Sequence, residues 1–405
     1  MTATTKPPLL MLVHRIPYPP NKGDKIRSFH LLKNLSQQYR IYLACFIDDP
    51  YDEQYLPELK QWCAEVCCIR LHKKPAMIRG LTAFLTSKAV TLPYYFSGAM
   101  QRWVNNKVTQ HDIRQVLVYS SAMAQYVEQL PQLTTKVIDF VDIDSDKWQQ
   151  YARRSQGLKR WFYQREARLL QRYEIDICQK FNKSLFVSED EATAFRNLLP
   201  ITIQRKVHSL SNGVDIDYFD PQLALPSAEI TLPAQYLVFT GAMDYWANVD
   251  AVCWFCHDVW PTLRQHYPNL QFLIVGGNPH SDVKALSQLG GVVVTGRVAD
   301  VRPYLKSALF AVAPMLIARG IQNKVLEAMA MNKAIVCTPM AMEGINAPLT
   351  AHTQVAENAA AFIQTCLTML SAAEQNSSSR QWVIQYFSWQ YTLGKLNNFI
   401  MSEAA

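Results

Sequence analysis

The sequence lacks a long apolar run, and its first residues lack the pattern of a secretory leader. No uninterrupted apolar stretch in the 405 residues approaches the roughly 20 residues that a membrane-spanning helix needs. Residues 1–8 lead directly into an apolar segment typical of a β-strand, which is unlike a signal peptide. We therefore expect a cytoplasmic protein, either free or peripheral on the inner face of the cytoplasmic membrane.

Cysteine motifs and acidic motifs typical of metal sites are also absent. The nine cysteines are an odd number scattered among apolar segments, which favours reduced thiols over disulfides. Cys253 and Cys256 form a lone pair within a predicted helix, so we expect buried thiols rather than zinc. Asp48, Asp49 and Asp52 lie between two predicted strands, where a solvated loop is favoured over a metal site. We expect no metal and no other cofactor.

Two further absences narrow the function. No Gly-x-Gly-x-x-Gly follows the first strand of either half, which disfavours a dinucleotide dehydrogenase. No nucleic-acid recognition motif is present, so we expect no nucleic-acid partner. Residues 1–210 hold 30 Lys and Arg against 19 Asp and Glu, a net charge of +11, whereas residues 211–405 carry a net of −4. The front half alone is therefore predicted to face an anionic surface or acceptor.

The length predicts two domains, because 405 residues exceed one ordinary domain. Apolar strands alternate with helical patterns in both halves, which predicts an α/β fold with parallel sheets. Prolines cluster in residues 213–232, after the turn-forming Asn212-Gly213. We therefore predict an N-terminal domain at 1–212, a linker at 213–232 and a C-terminal domain at 233–385.

The segment 309–331 is the most informative part of the chain. A buried strand is predicted at 309–313, and a helix follows a loop that contains Gly320. Glycine allows backbone to approach a ligand closely, and free N–H groups at the helix start favour an anion. Lys324 and Glu327, three residues apart, lie on one side of the first turns. A cation suits phosphate and a carboxylate suits ribose hydroxyls, although an ordinary solvated ion pair is the alternative.

Glycines follow several predicted strands of the second half. Gly241 follows the strand from Tyr236, and Gly276, Gly277 and Gly296 follow later strands. The carboxyl ends of parallel strands share one edge of a sheet, where ligands of open α/β sheets bind. Arg297 lies on the same edge, where it either contacts phosphate or pairs with the nearby Asp300.

Carboxylates appear in the front half where a buried strand ends. Asp142 and Asp144 follow the apolar segment that begins at Val137, and carboxylates in such a position need a reason. Either of them is a candidate for orienting or deprotonating an acceptor hydroxyl. The alternative is that Asp144 or Ser145 caps the next helix. His14, which follows the first strand, is the next candidate.

Two segments of the front half combine basic and aromatic residues. Residues 153–172 hold seven basic residues against one acid, with apolar residues at helical spacing. Such a helix is typical of contact with an anionic membrane surface, and a core-packed helix with a basic outer face is the alternative. Residues 73–100 are either an acceptor-side or membrane-facing insertion or a packed surface excursion, which we favour.

The motifs of the second half resemble those of a known enzyme family. Gly320, Asn323-Lys324 and Glu327, together with residues 334–338, resemble the nucleotide-sugar site of glycosyltransferase family 4. The resemblance implies the GT-B fold, in which two Rossmann-like domains face each other across a cleft. It also implies that the last helix, residues 386–405, crosses back to the first domain. The spacing of Gly23, Asp24 and Arg27 resembles the sugar transferases of exosortase (PEP-CTERM) exopolysaccharide systems.

The resemblance also assigns residues to roles. It implies that Glu327 holds the donor ribose and that Lys324, with Arg319, meets the diphosphate. The family usually has a glutamate where this chain has Arg319, which affects how the donor sugar hydroxyls are held. The remaining positions are assigned to the donor side (Gly23, Asn212, Gly241, Arg297, Gly320 and Asn323) and to the acceptor side (His14, Arg27 and Asp144, beside Asp142).

We therefore predict a retaining, metal-independent glycosyltransferase. It would move a sugar from a nucleoside diphosphate donor to a glycan or polyprenyl-linked acceptor, in exopolysaccharide or other cell-surface polysaccharide synthesis. Two alternatives stay open: a sugar-nucleotide epimerase of the same fold, and a catalytically silent binding subunit of a polysaccharide-assembly complex.

Overall fold

The computed structural model describes residues 6–20, 23–153, 155–224, 231–317, 320–350, 352–371 and 379–401. The chain forms two compact units, one of Met1–Ser211 with Leu393–Ala405 and one of Asn212–Thr392. Arg319 lies outside the described residues, so its predicted role stays a prediction. None of the described helices combines the length and apolarity that crossing a bilayer requires.

The first unit is built on a parallel sheet of seven strands. They are β1 Pro8–Val13, β2 Arg40–Ile47, β3 Cys63–Arg70, β4 Gln115–Tyr119, β5 Thr135–Val141, β6 Lys183–Phe186 and β7 Val207–Ser209. Their order across the sheet is β3-β2-β1-β4-β5-β6-β7, with every pairing parallel. The strand order reverses beside β1, and such a switch point opens a crevice at the strand carboxyl ends.

Helices flank this sheet. They are α1 Gly23–Ser36, α2 Leu56–Leu59, α3 Lys73–Leu81, α4 Thr91–Tyr94, α5 Gly98–Gln110, α6 Asp144–Arg153, α7 Gly157–Lys180, α8 Glu189–Arg196 and α9 Ile201–Gln204. Short 3₁₀ turns occupy Pro50–Tyr55, Thr82–Leu85 and Ser121–Tyr126. Side-chain caps begin some helices: Ser97 accepts from the backbone N–H of Met100, and Ser188 accepts from that of Glu191.

The second unit contains six parallel strands. They are β8 Tyr236–Thr240, β9 Gln271–Val275, β10 Val292–Gly296, β11 Phe310–Ala313, β12 Ile335–Cys337 and β13 Thr353–Val355. Their order is β10-β9-β8-β11-β12-β13, so the switch point lies between β8 and β11. Strands β8 and β11 are buried along their whole length, as parallel strands covered on both faces must be. The predicted pair of parallel-sheet, Rossmann-like domains is thereby confirmed.

The helices of the second unit follow its strands. They are α10 Trp246–Trp254, α11 Trp260–His266, α12 Ser281–Ala285, α13 Arg302–Ser307, α14 Asn323–Ala330, α15 Pro339–Met342, α16 Ala359–Ser371, α17 Ser379–Phe387 and α18 Trp389–Thr392. The helix predicted around Cys253 and Cys256 is interrupted by a π turn at Phe255–Val259. Pro261 lacks the N–H that a regular helix would use there, which accounts for the interruption.

Residues 212–219 pack within the second unit. The N–H of Val214 donates to the carbonyl of Phe387 at 2.7 Å, and Val214 and Phe219 are buried in the core of this unit. The guanidinium of Arg380 donates to the carbonyls of Ile216 (3.0 Å), Phe219 (2.7 Å) and Ala330 (2.5 Å). The first part of the predicted linker is therefore fixed to the end of α14.

The final helix, α19 Leu396–Ile400, belongs to the first unit. Its Leu396 and Ile400 are fully buried, and the ring of the nearby Phe399 lies 4.9 Å from that of His208. The segment that joins the first unit begins at Leu393, whereas the sequence prediction had begun it at residue 386.

Two glycines allow β8 and β9 to end in close contact. A Cβ at Gly276 would lie 1.7 Å from the carbonyl oxygen of Gly241, a distance that no side chain can occupy. A Cβ at Gly241 would in turn lie 2.7 Å from Nδ2 of Asn248. Glycine is therefore required at position 276 for steric reasons, and a side chain at position 241 would displace the Asn248 amide.

We expect Gly276→Ala to lower the free energy of unfolding by about 1–3 kcal/mol or more, because the strand ends must separate to admit the methyl group. Urea denaturation measures the change. Gly290→Ala is the control, since a Cβ there meets nothing within 4 Å, and it should stay within about 0.5 kcal/mol of the wild type. Equal midpoints for the two variants would contradict the close contact.

Candidate functional site

The second unit brings Lys324 to the carboxyl ends of its central strands. Lys324 lies in the first turn of α14, which follows β11. Its ammonium donates to Oδ1 of Asn248 at 2.9 Å and to Oε1 of Gln322 at 3.4 Å, and it lies 3.6 Å from Sδ of Met315. It also lies 5.2 Å from the ring centroid of Phe239. The cation is thus held in a defined place at the sheet edge.

Asn248 is the residue of this site that sequence reasoning missed. Its Nδ2 donates to the carbonyl of Ala242 at 2.9 Å, which leaves Oδ1 to accept from Lys324. The glycine turn before Asn248 was recognised, but its contact with a lysine 76 positions away exists only in the folded chain. A polar residue in the helix after a strand-end glycine was the available signal.

Glu327 lies one helical turn after Lys324 and is half-buried. Within the described residues, no hydrogen bond or ion pair of its carboxylate is formed. Burial raises the pKa of Glu327 to about 7, although the charge of Lys324 opposes the shift. Burial likewise lowers the pKa of Lys324 to about 8, opposed by the charge of Glu327. Burial therefore disfavours the charged form of both groups, and polar contacts from a ligand would favour it again.

The backbone before α14 supports the same site. Gly320 has φ of +62°, a left-handed conformation that favours glycine. Asn323 begins α14, and its Oδ1 is buried without a hydrogen-bond partner in the described chain. A strand, a glycine in a left-handed turn and a helix N-terminus together present backbone N–H groups to a ligand.

Arg297 follows β10 at the same edge of the sheet. A Cβ at Gly277 would lie 3.6 Å from Cβ and from Nε of Arg297, so the arginine stem runs along this glycine. Asp300, the suggested alternative partner, is instead bonded by Arg302 at 2.6 Å and accepts from the hydroxyl of Tyr218 at 3.2 Å. Asn212 begins the second unit, and its predicted donor contact stays a prediction.

In the first unit, His14 follows β1 at the switch point. Its ring stacks on Tyr119 at 5.7 Å and meets the edge of Tyr95 at 6.0 Å. Its Nε2 lies 3.5 Å from Asp24, and its Nδ1 is buried without a hydrogen-bond partner among the described residues. Burial alone would raise the pKa of Asp24, but the hydrogen bond and charge of His14 and the charge of Arg15 hold it well below its usual value.

Arg27 lies in a buried ion pair rather than at an exposed position. It is buried within α1 and forms an ion pair with the fully buried Asp139 of β5, at 2.7 Å from Nε to Oδ2. Lys25 forms a second buried pair with Asp52 at 2.5 Å, so the expectation of a solvated loop is wrong for Asp52. Gly23 begins α1, and a Cβ there would meet open space. The ion pair with Asp139 holds Arg27 beneath the strand ends, and its predicted acceptor contact stays a prediction.

Asp142 and Asp144 lie together after β5 and share one cation. Lys147 Nζ lies 2.9 Å from Asp142 and 3.4 Å from Asp144, and the hydroxyl of Ser121 donates to Asp144 at 3.1 Å. Burial would lower the pKa of Lys147, but the charges of Asp142 and Asp144 raise it above its ordinary value. Lys147 was not predictable from the sequence, since it lies on the first turn of a helix whose orientation only the fold defines.

The cap predicted for α6 is supplied by another helix. Glu174 of α7 accepts from the backbone N–H of Ser145 at 3.2 Å and from its hydroxyl at 2.5 Å. Burial raises the pKa of Glu174 to about 8. The expectation that Asp144 or Ser145 accepts the capping bond is therefore wrong, and Asp144 is available at the sheet edge with Asp142.

No group of three or more His, Cys, Asp or Glu side chains suited to a metal ion occurs among the described residues.

Comparison with known proteins adds a family match for part of the chain and several similar folds. Residues 234–372 match the family model described as Glycosyl transferases group 1. Sucrose-phosphate synthase from Thermosynechococcus elongatus has a similar structure, with a TM-score of 0.69, 17% identity and coverage of 97% of this chain and 98% of that one. None of the curated proteins matches the sequence.

Two further structures are similar over nearly their whole length. Anabaena HepE in complex with UDP and glucose has a TM-score of 0.66 at 14% identity, covering 97% of this chain and 99% of HepE. WaaG, a glycosyltransferase involved in lipopolysaccharide biosynthesis, has a TM-score of 0.65 at 14% identity, covering 97% and 100%. At these identities the likeness shows the fold, which is GT-B.

The fold is thus that of the GT-B enzymes, and residues 234–372 match the model of the group 1 glycosyl transferases. The prediction of a glycosyltransferase is confirmed at this level. Membership of family 4 and the exosortase branch stay predictions.

We expect Glu327→Gln to stabilise the unliganded protein at pH 8 but not at pH 5. The folded pKa of about 7 exceeds the ordinary value of Glu. Ionisation of this carboxyl therefore lowers the free energy of unfolding as pH rises from about 4.5 to 7. Glutamine stays neutral throughout. Thermal unfolding should show a Tm increase of about 2–4 °C at pH 8, which corresponds to about 1 kcal/mol in a domain of this size.

The exposed Glu343 of the same unit provides the control for this measurement. Glu343→Gln should leave Tm unchanged at both pH values. A Glu327→Gln variant that melts like the wild type at pH 8 would show that the Glu327 carboxylate is adequately solvated.

Proposed function

We propose that this protein transfers a sugar from a nucleoside diphosphate sugar to a glycan or lipid-linked acceptor. The proposal includes retention of the anomeric configuration, independence of a metal ion, and a role in exopolysaccharide or other cell-surface polysaccharide synthesis. The observation that carries it is the half-buried pair of Lys324 and Glu327 at the strand ends of a glycosyltransferase group 1 domain.

Glu327 is proposed to bind the donor ribose. Its carboxylate has four acceptor positions and forms no hydrogen bond within the described residues, and two ribose hydroxyls are donors of matching number and geometry. Because the pKa is raised to about 7 by burial, hydroxyl donors would stabilise the ionised form and lower this pKa. The Glu327 carboxylate would therefore gain hydrogen bonds when the nucleotide binds.

Lys324 is proposed to meet the diphosphate. Its pKa of about 8 would rise beside a phosphate, so binding favours the charged form. A fixed ammonium that gains a stronger contact as the diphosphate leaves would stabilise the transition state more than the ground state. Arg297 and Arg319 are proposed to share this charge, which provides a physical basis for working without a metal.

Asp142 is proposed to act on the acceptor. A carboxylate paired with the Lys147 ammonium accepts hydrogen bonds and donates none, so it can orient an acceptor hydroxyl and draw off its proton. Asp144 is bonded to both Lys147 and Ser121, which leaves it fewer free acceptor positions. His14 is the next candidate, because its Nδ1 has no hydrogen-bond partner in the part of the chain that the structure describes.

The comparisons support parts of this proposal. HepE is described in complex with UDP and glucose, which supports a nucleotide-sugar partner. WaaG acts in lipopolysaccharide biosynthesis, which supports a cell-surface glycan as acceptor. Both statements concern those proteins and enter here as support only.

A position on the cytoplasmic face of a membrane is also proposed. Residues 153–172 lie on α6 and α7, where the side chains of Arg153, Lys159, Arg160, Arg168 and Arg172 are exposed. Basic residues near an anionic leaflet contribute about 1 kcal/mol each, so several of them together can hold a protein at the surface. A lipid-linked acceptor would be met there.

We expect Glu327→Ala to weaken binding of UDP about tenfold to a hundredfold, because a charge-assisted hydrogen bond contributes about 1.5–3 kcal/mol. Calorimetry on the purified protein measures the affinity, and Glu343→Ala is the matched control. Unchanged UDP affinity in a folded Glu327→Ala protein would remove the ribose assignment.

We expect Asp142→Asn to abolish most sugar transfer while UDP affinity stays the same, since the change keeps the shape and removes the charge. Asp144→Asn should retain transfer and lower stability by about 1 kcal/mol or less, because asparagine still accepts from Ser121. Product analysis with and without acceptor measures transfer and also detects epimerised donor. The reverse pattern would give the acceptor role to Asp144, and normal transfer by both variants would move it to His14.

A further inference from the structure

The first unit carries an apolar patch that no other part of the described chain covers. It consists of side chains from α3, the adjoining 3₁₀ turn and the start of α7, namely Met77, Ile78, Leu81, Leu85, Leu158 and Trp161. Leu85 and Leu158 are 88% and 87% exposed, and Ile78 is 67% exposed. Isolated exposed apolar residues are common, but a contiguous group of this kind marks an interaction surface.

The patch is built by specific contacts between its two segments. The ring of Phe84 stacks on that of Trp161 at 6.2 Å, and the Arg165 guanidinium lies 4.8 Å from the Phe84 ring centroid. Arg165 also donates to the carbonyls of Ala83 at 2.6 Å and Thr86 at 3.1 Å. The 3₁₀ turn is therefore bound to α7, and the packing of Phe84 beneath it leaves Leu85 exposed.

The two segments that carry the patch have charge of one sign. Residues 71–90 and 155–165 contain no aspartate or glutamate. They contain Lys73, Lys74, Arg79, Lys88, Lys159, Arg160 and Arg165. The next acid, Glu166, is fully buried and accepts from the backbone N–H groups of Val90 and Thr91 at 2.6 and 2.9 Å. Its negative charge is used inside the unit rather than at the surface.

Exposed apolar side chains on segments that carry only cations fit an anionic lipid bilayer. The apolar groups enter the boundary of headgroups and acyl chains, while the cations stay at headgroup level beside anionic lipid. A second copy of the chain would bring the same cations against each other, which disfavours self-association through this face. The charge therefore favours lipid as the occupant.

We propose that this patch inserts into the interfacial layer of an anionic membrane. The proposal deepens the membrane part of the proposed function and names its contact. The sequence pattern predicted membrane contact along residues 153–172, but Leu169 and Leu170 of that segment are buried. The structure moves the apolar contact to the start of α7 and adds residues 77–85, which lie in the segment that the sequence analysis had favoured as a packed excursion.

Sedimentation of the full chain with vesicles tests the proposal. Wild type should bind phosphatidylcholine vesicles that contain phosphatidylglycerol and should not bind phosphatidylcholine alone. The double variant Leu85→Ser with Leu158→Ser should bind at least about tenfold more weakly. The control is Ile201→Ser with Leu349→Ser, whose parent side chains are 79% and 66% exposed elsewhere on the chain, and it should bind like the wild type.

Two further measurements make the result decisive. Trp161 fluorescence should be quenched by lipids brominated on the acyl chains, and Trp161→Phe should remove that quenching. If only Lys159→Gln with Arg160→Gln releases the protein while the serine variant stays bound, the contact is electrostatic and insertion is overturned. Salt-independent dimerisation of wild type, lost in the serine variant, would make the patch a self-association surface instead.

The vesicle experiments use no donor, so they separate this proposal from sugar transfer. The serine variant should keep the UDP affinity and Tm of the wild type, because its substituted residues are exposed. If neither the wild type nor any variant binds UDP, the result would count against the proposed function and would leave the membrane contact unaffected.

Discussion

The close contact of two strand ends in the second unit is the constraint on which its ligand edge depends. Gly276 has no side chain, so the carbonyl of Gly241 can occupy the space beside it. Gly241 has none either, so the amide of Asn248 can bond to the turn at Ala242. The other end of that amide fixes the ammonium of Lys324. The two glycines therefore help to position the Lys324 ammonium indirectly, through the amide of Asn248.

The first unit reaches a similar result with buried charge. Arg27 with Asp139, and Lys25 with Asp52, form ion pairs beneath the ends of the strands. Such pairs are neutral or weak contributors to stability when complete, but removal of one partner leaves an uncompensated buried charge that costs about 3–5 kcal/mol. Their geometry fixes where α1 begins, and with it the position of Asp24 beside His14.

Much of the fold was predictable because its signals are local. Apolar strands alternating with helices defined two parallel sheets, and strand-end glycines with the spacing of Lys324 and Glu327 defined the ligand edge. Asn248, Lys147 and the burial of Arg27 were not predictable, since each depends on a partner distant in sequence or on which face a helix presents. The cap of α6 was unpredictable for the same reason, because Glu174 lies 29 positions after Ser145. The exposure of Leu85 and Leu158 could not be predicted either, because apolar residues are expected to be buried.

Arg380 has a consequence for how much of the chain the proposed donor site requires. Its guanidinium bonds to the end of α14 at Ala330 and to the carbonyls of Ile216 and Phe219. The helix that carries Lys324 and Glu327 is thus anchored at its far end by a residue close to the end of the chain. A product truncated before residue 380 would retain every residue proposed to touch the donor and would still lose the anchor that holds their helix.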